Sequence, residues 1–556
     1  MSEDIDALFI PQYVDIDRWH NDEAGDLQIP SMGRVRGTLS ALSETEWMKD
    51  EVDLVVEGRL YDFGRFLSSV RYGTTSEWQR YDPFTMTLLT GSYYLNLLHR
   101  HGFKIRVANV ATRPSLQALA GEVSPRFVLL STTLLFDAAE QDVIPKAVRQ
   151  IRAAFPGAVV VLGGLMLVSY EKNLPPAHFH GMLLSYGADA YIVTPRGEAP
   201  LLEMLQILRR SDRESLAAAP PPCTYLVHEG RIIPPASTVE PPLPFEDGYI
   251  RWSQLPQSSH LYHTVHTRTA RSCAFACAFC EYPVNQGPLT LMPVEVFEQE
   301  LRELKALGTV KSIIFTDDTF NVPLLRFKEL LKVLARYDFE WYSFFRPQYA
   351  DAETAELMKE SHCRAVFAGL ESVDDQVLKN MHKVATADAY RRGIEQIKKK
   401  GINIHANFIV GFPGETEASA RKIVPFLNEM DIDFCTVCTW SFIPSTPIGA
   451  RREEFKITGM GVEWTHSSMS SHQAQLLARE IALEQKRSVH NAVRGEAWTE
   501  FLMYANDFSV DEVQLAIRSF NRHLGKDTTE AEIKATPDYA PLRAALERHE
   551  MPAPRP

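Results

Sequence analysis

Cys273, Cys277 and Cys280 stand within eight residues in a C-x3-C-x2-C spacing, and the chain has seven cysteines in all. Thiolates so spaced lie on one tight loop and can share one cube-shaped iron–sulfur cluster. Such clusters normally take four protein ligands. Three leave one iron open to a small molecule, by the logic that separates open catalytic metal sites from closed structural ones. A zinc knuckle is the alternative, but structural zinc asks for four closing ligands, usually as paired C-x2-C halves. Cys435 and Cys438 form such a pair far downstream, in a run of Phe, Val, Cys and Trp that reads as a buried strand.

The elements that position this loop follow a βα rhythm. From about 261 to 450, strands are expected at Ser312 to Phe315, Trp341 to Phe345, Ala365 to Ala368, Asn403 to Val410 and Asp433 to Thr439. Helices fall between them, such as Val294 to Leu307 and Leu325 to Tyr337. The cysteine loop follows the first strand of a partial (β/α)6 barrel, whose chemistry sits at the C-terminal strand ends. Residues 1–210 alternate short apolar runs with helices. Strands are expected at Ala7 to Ile10, Lys104 to Val107, Phe127 to Ser131, Val159 to Leu162 and Ala190 to Val193, with helices over 85–101 and 138–155. Buried parallel strands alternating with helices mean a doubly wound α/β sheet. Residues 211–260 are a Pro-rich linker holding a hairpin around Gly230. Residues 451–556 are mostly helical, with no chemistry assigned.

Composition narrows the class. Apolar content of 45% and charged content of 23% are those of a globular protein, and the net charge of −13 argues against nucleic acid as a partner. The start has no signal-peptide pattern, and no apolar run approaches the roughly 20 residues of a membrane span. The scattered cysteines are no disulfide framework. A reducing cytoplasmic setting is expected.

The C-x3-C-x2-C loop, with aromatic Phe279 before its last cysteine, resembles the radical S-adenosylmethionine (SAM) superfamily. The resemblance implies that Cys273, Cys277 and Cys280 hold a 4Fe–4S cluster whose open iron binds SAM, with Phe279 along the adenine. Three further segments land where that family places SAM contacts. Gly411, Pro413 and Gly414 lie in Gly411-Phe-Pro-Gly-Glu-Thr416 after a strand, where glycine lets backbone approach a ligand. Glu371 and Ser372, in Gly369-Leu-Glu-Ser372, match a ribose-contacting segment. Asp317 and Asp318 follow the second strand and point to opposite sides; Asp317 is taken as the one facing SAM. Arg346 is placed to pair with the SAM carboxylate.

The N-terminal half resembles the cobalamin-binding domain that precedes this barrel in one subgroup. Ser131 and Thr132 end one strand, Gly163 and Gly164 the next, and Gly187 precedes another. Ligands of doubly wound sheets bind outside the carboxyl ends of the strands. No phosphate-loop motif is present. The stretch Ile10 to His20 lacks the D-x-H-x-x-G pattern of domains that ligate cobalt from below, so the lower cobalt face is expected to have no histidine ligand. His260, His263 and His266 recur every three residues, but their surroundings look extended, which argues against a shared metal. Tyr342, Trp440, Trp464 and His466 are candidates for a substrate pocket, with a core role as the alternative.

Cys280-Glu-Tyr-Pro283, Asp317-Asp-Thr-Phe-Asn-Val-Pro323, Phe344-Phe-Arg346, and Arg452-Glu-Glu-Phe455 leading to Trp464-Thr-His466 resemble the phosphinothricin P-methylase family over roughly residues 80–470, with the tryptophan 2-C-methyltransferases a nearby branch. That implies an enzyme of antibiotic biosynthesis moving a methyl group from SAM, by way of cobalamin, to an unreactive carbon or phosphorus of a small precursor. The resemblance implies a 5′-deoxyadenosyl radical that activates the substrate, a step the tryptophan branch does without, and a reductant such as flavodoxin or ferredoxin. Two other readings stay open: a non-methylating rearrangement or cyclisation with the same cofactors, and a sensor without catalysis.

Overall fold

A computed structural model describes residues 2–12, 53–83, 86, 88–108, 111–133, 143–211, 213–241, 249–255, 263–491, 493 and 496–551. His20, His260 and the first part of the helix expected over 138–155 lie outside the described residues.

The first sheet has seven strands. Five are parallel, in the spatial order Ile105–Val107, Glu3–Ile10, Val123–Ser131, Val159–Gly163, Ala190–Ile192. Runs such as Val159-Val-Val-Leu162 form strands because they are apolar on both faces, as a sheet covered by helices requires. Helix Val143–Ala154 covers one face through Ile144, Ala147, Val148 and Ile151. Helix Leu89–Arg100 belongs to the other side and ends where Gly102 takes φ +76°, as its sequence predicts. The hairpin of the Pro-rich stretch, Thr224–His228 and Arg231–Ile233, continues this sheet in antiparallel pairing.

The second sheet runs in chain order: Thr264–Thr267, Ser312–Phe315, Glu340–Phe345, Cys363–Glu371, Asn403–Val410, Phe434–Thr439 and Val489–His490, all parallel. Among the described residues the first and last strands do not pair, so the arc stays open. Its outer face packs through Ile313, Trp341, Val366 and Ile404 on a layer of helices that includes Val294–Leu307 and Ala387–Lys398. Its inner face carries Ile314, Tyr342, Ala365 and Phe434, which meet Phe501 and Tyr504 of helix Glu496–Ala505. The C-terminal region thus fills the lower part of the arc. Strand Leu54–Val56 pairs with Asp527–Thr528 in the same region, far apart in sequence. Among the described residues no helix is long and apolar enough to cross a membrane.

Candidate active site

The cysteine loop leaves the second sheet after its first strand. A short antiparallel pair, Ala270–Arg271 with Thr290–Leu291, clamps its base, and Ser272 at φ +68° turns the chain into Cys273. The loop is pinned from outside as well: Ala278 N–H donates to the Met381 carbonyl (2.8 Å) and receives the Ile448 N–H at its own (3.0 Å). Cys277 is buried, whereas Cys273 and Cys280 are half-buried. Arg346 donates to the Cys277 sulfur at 2.9 Å and to the Lys383 carbonyl at 2.7 Å, with its guanidinium 3.6 Å from the Phe275 ring centroid. Asn321 holds the Arg346 backbone through two hydrogen bonds. The Cys273 sulfur lies 3.6 Å from the Thr319 hydroxyl.

The paired aspartates diverge, as their adjacency requires, but in the opposite sense to the sequence expectation. Asp317 accepts from the Thr269 N–H (2.9 Å) and hydroxyl (2.8 Å), so it braces the loop base instead of facing SAM. Asp318 is the one on the cysteine side. It is exposed to solvent, and the Tyr282 hydroxyl donates to its carboxylate. Cys280 is pushed up to about 12 by burial, with Cys277, Asp318 and Cys273 adding to the shift.

Lys383, overlooked in the sequence reading, joins several segments. Its ammonium pairs with Glu371 at 2.8 Å, both side chains being buried, and lies 5.6 Å from the Phe279 ring centroid. Glu371 sits at φ +66° where the strand register slips, and folds back so far that a Cβ on Gly369 would lie 2.5 Å from its carboxylate. Asn407 donates to the other Glu371 oxygen at 3.4 Å. Ser372 is buried, and its hydroxyl accepts from the Asp374 N–H, so it serves the turn into the next helix.

The segment from Gly411 closes strand Asn403–Val410. Phe412 meets Phe279 edge-on at 6.4 Å, which brings this turn to the cysteine loop. The glycines have a packing reason of their own. A Cβ on Gly411 (φ +93°) would strike Trp464 and Ala474 at 2.6 Å, and one on Gly414 (φ +91°) would strike Asn380 at 2.4 Å. Pro413 is buried and its carbonyl accepts from Asn380. His466 bonds the Gly411 carbonyl at 2.8 Å, while Trp440 and Trp464 are core residues behind this turn.

Below the cysteine loop, the inner face of the arc opens. Phe344, Phe367, Asn407, Ile409 and Cys438 are half-buried on strands whose outward neighbours are fully buried. Trp498 joins them from the C-terminal region, edge-on to Phe344 (5.7 Å) and stacked on His266 (4.8 Å). Phe344, Phe367 and Trp498 form an aromatic floor, under which His405 bonds Glu500 at 2.7 Å. Tyr342 is fully buried one layer lower, stacked on Phe501, so it does not line the opening. His266 is kept neutral by burial, its pKa lowered to about 3, and His263 reaches only the Thr309 carbonyl.

The strand ends of the first sheet border a cavity lined by Ser131, Gly163, Gly164, Thr194, Tyr94 and Arg268. Arg268 follows the first strand of the second sheet, so the cavity joins the active edges of both. Thr132 is fully buried and closes the strand end through the Gly163 carbonyl. A Cβ on Gly164 (φ +130°) would lie 2.6 Å from the Thr132 hydroxyl, so glycine is needed for strand-end packing. Gly187 lies elsewhere. It ends helix Pro176–Tyr186 at φ +75°, before strand Ala190–Ile192, hence at the opposite edge of the sheet. Thr194 and Gly197, after that strand, are the residues beside the cavity, and a strand-end reading of the sequence would have found them.

The three thiols share one loop, and Arg346 stands against the Cys277 sulfur. A cube spreads its ligands over separate irons, and three neighbouring thiols with Arg346 to offset their negative charge fit that arrangement.

Comparisons with known proteins agree. The Radical SAM superfamily profile matches residues 267–427. Over 237 residues the chain is 29% identical to the ribosomal protein uS12 methylthiotransferase RimO of Heliobacterium modesticaldum, covering 40% of this chain and 49% of that protein. It is 26% identical over 320 residues to an uncharacterized methyltransferase of Synechocystis sp., covering 53% of this chain and 55% of that one. The chain thus spans about half the length of these curated relatives. Among solved structures, the methyltransferase TsrM of Kitasatospora setae with cobalamin and a 4Fe–4S cluster bound superposes with TM-score 0.56 at 16% identity, over 82% of this chain and 96% of that one. OxsB with aqua-cobalamin superposes with TM-score 0.53 at 14% identity, over 72% and 65%. Residues 267–427 are therefore a radical SAM domain, set in a chain with the overall fold of TsrM and OxsB.

Proposed function

We propose that this radical SAM enzyme is a cobalamin-dependent methyltransferase, moving a methyl group from SAM to an unreactive carbon or phosphorus centre of a small natural-product precursor. The observation that carries this reading is the cavity shared by the strand ends of the first sheet and Arg268 of the second. There the strand ends of the first sheet meet the edge of the second that bears the cysteine loop. Cys273, Cys277 and Cys280 would hold the cluster, and Ser131, Gly163 and Gly164 would border the corrinoid. When bound, these groups supply methyl transfer and one-electron chemistry that no side chain offers.

The chain's own residues bind and orient. Arg346 and Thr319 position Cys277 and Cys273. Phe279 and the Glu371–Lys383 pair, which meet beside the cysteine loop, would border SAM, with Phe412 packed behind Phe279. Phe344, Phe367 and Trp498 would carry the apolar body of the substrate and exclude water from reactive species. A flavodoxin- or ferredoxin-type protein would supply electrons. The test is anaerobic turnover of the reconstituted protein with SAM, cobalamin and a strong reductant against phosphinates and indoles. Product heavier by one methylene, together with S-adenosylhomocysteine, supports methylation; a rearranged product of unchanged mass overturns it.

A further inference from the structure

Asn173 ends helix Leu165–Asn173, which starts beside Gly164 at the carboxyl edge of the first sheet. Its amide nitrogen donates to Glu281 and to the Ser445 hydroxyl, both at 3.1 Å, and its amide oxygen accepts from the Ser445 N–H at 3.1 Å. The Ser445 hydroxyl donates to the same Glu281 oxygen at 2.5 Å. The Ser169 carbonyl, on Asn173's own helix, holds the amide in place at 2.8 Å. Glu281 follows Cys280 directly, and Ser445 shortly precedes Ile448, whose N–H donates to the Ala278 carbonyl. Asn173 therefore joins the first sheet to the segment leaving Cys280 and to the segment that pins Ala278.

Neighbouring contacts point the same way. Lys172 donates to the Val284 carbonyl (3.0 Å) and the Asn285 side chain (2.7 Å), both on helix Tyr282–Gln286, which follows the cysteines. Gln286 of that helix donates to the carbonyl of Pro195, a residue lining the cavity, at 3.4 Å.

These ties fix a separation. A nine-residue helix rising about 1.5 Å per residue is a stiff spacer of roughly 13 Å. One end borders the cavity at Gly164, and the other holds the residue after Cys280. Units of one chain move against each other unless contacts hold them. An amide bonded to a carboxylate is a strong tie of this kind, and Asn173, Glu281 and Ser445 are all half-buried.

Resting on the cobalamin reading above, we propose that Asn173 is a positioning residue that sets the separation between the corrinoid and the cluster. It touches neither group. It acts through Glu281 and Ser445 on one side and through its own helix on the other. Passing a methyl group or a radical between bound partners depends on such a fixed separation.

The test reads that separation. Cob(II)alamin and the reduced cluster are both paramagnetic, and the dipolar coupling of two such centres falls with the inverse cube of their distance. Reconstituted protein loaded with cob(II)alamin is compared by EPR with the cluster oxidised and reduced. The proteins are wild type, Asn173→Asp and the double variant Asn173→Asp, Glu281→Gln, each with its iron content and hydroxocobalamin affinity. Wild type is expected to show a cobalt signal broadened on cluster reduction. Asn173→Asp sets carboxylate against carboxylate and is expected to lose the broadening while keeping iron content and affinity. The double variant restores donor and acceptor with their roles exchanged, and is expected to regain it. Wild-type broadening in Asn173→Asp overturns the proposal, as does a double variant that regains none. Lost iron or lost corrinoid affinity in Asn173→Asp also overturns it, because the residue would then support one site instead of spacing two. Wild type that binds hydroxocobalamin without broadening overturns this inference alone, whereas wild type that binds none overturns the cobalamin reading with it.

Discussion

Arg346 donates to the Cys277 sulfur at 2.9 Å while its own backbone is clasped by Asn321. A cation held this firmly beside the most buried of the three cysteines orients the sulfur and offsets the charge of a coordinated thiolate. Arg346→Met is expected to lower iron and sulfide content after anaerobic reconstitution, with a smaller fall for Arg346→Lys. Cys277→Ala is expected to abolish the brown cluster absorbance altogether. An Arg346→Met protein with wild-type iron content would refute the positioning role.

The buried pair of Lys383 and Glu371 makes a second expectation. Removing one partner strands a buried charge, so Lys383→Met is expected to cost about 3–5 kcal/mol of stability in denaturant unfolding. The double variant Lys383→Met, Glu371→Gln is expected to recover a large part of that loss. Additive losses would mean that the two groups do not compensate one another.

Glu300 dictates a pH dependence. It is buried beneath the first strand of the arc, where its carboxylate accepts from Trp252 and Thr267, and burial raises its pKa from 4.5 to about 7. A raised carboxyl binds its proton more tightly in the folded chain, so its contribution to stability is complete below 4.5 and is lost as pH rises through about 7. Glu300→Gln keeps an acceptor oxygen and removes the titration. The variant is expected to gain on the order of 2–3 kcal/mol over wild type at about pH 8, with a flatter stability profile between about pH 5 and 8. Parallel profiles would contradict this.

Trp498 connects the C-terminal region to the chemistry. Trp498→Ala is expected to cost about 2–4 kcal/mol of stability and to raise the substrate KM roughly tenfold, with iron content and SAM binding unchanged. Loss of iron content together with activity would show that the floor supports the cysteine loop instead of the substrate.

Much of this architecture is visible along the chain because it rests on local patterns. The strands Ser312–Phe315 and Asn403–Val410 and the helix Val294–Leu307 follow from apolar runs and helical spacing. The cysteine loop follows from ligand chemistry packed into eight residues. Readings that required a direction in space fared differently. Asp317 and Asp318 are equal as letters, and only the Thr269 hydrogen bonds decide which one turns away. Gly187 resembles Gly164 in sequence, but one precedes its strand and the other follows, so they stand at opposite edges of one sheet.

The amino-acid order alone determined two parallel sheets, a three-thiol loop after the first strand of the second, and their sequence along the chain. These depend on periodicity and spacing, which act over a few residues. Tertiary structure decided that Lys383 reaches Glu371 and that Trp498 from the far end floors the arc. Each of these depends on segments distant in the chain meeting in space, and burial is a property of the whole packed molecule.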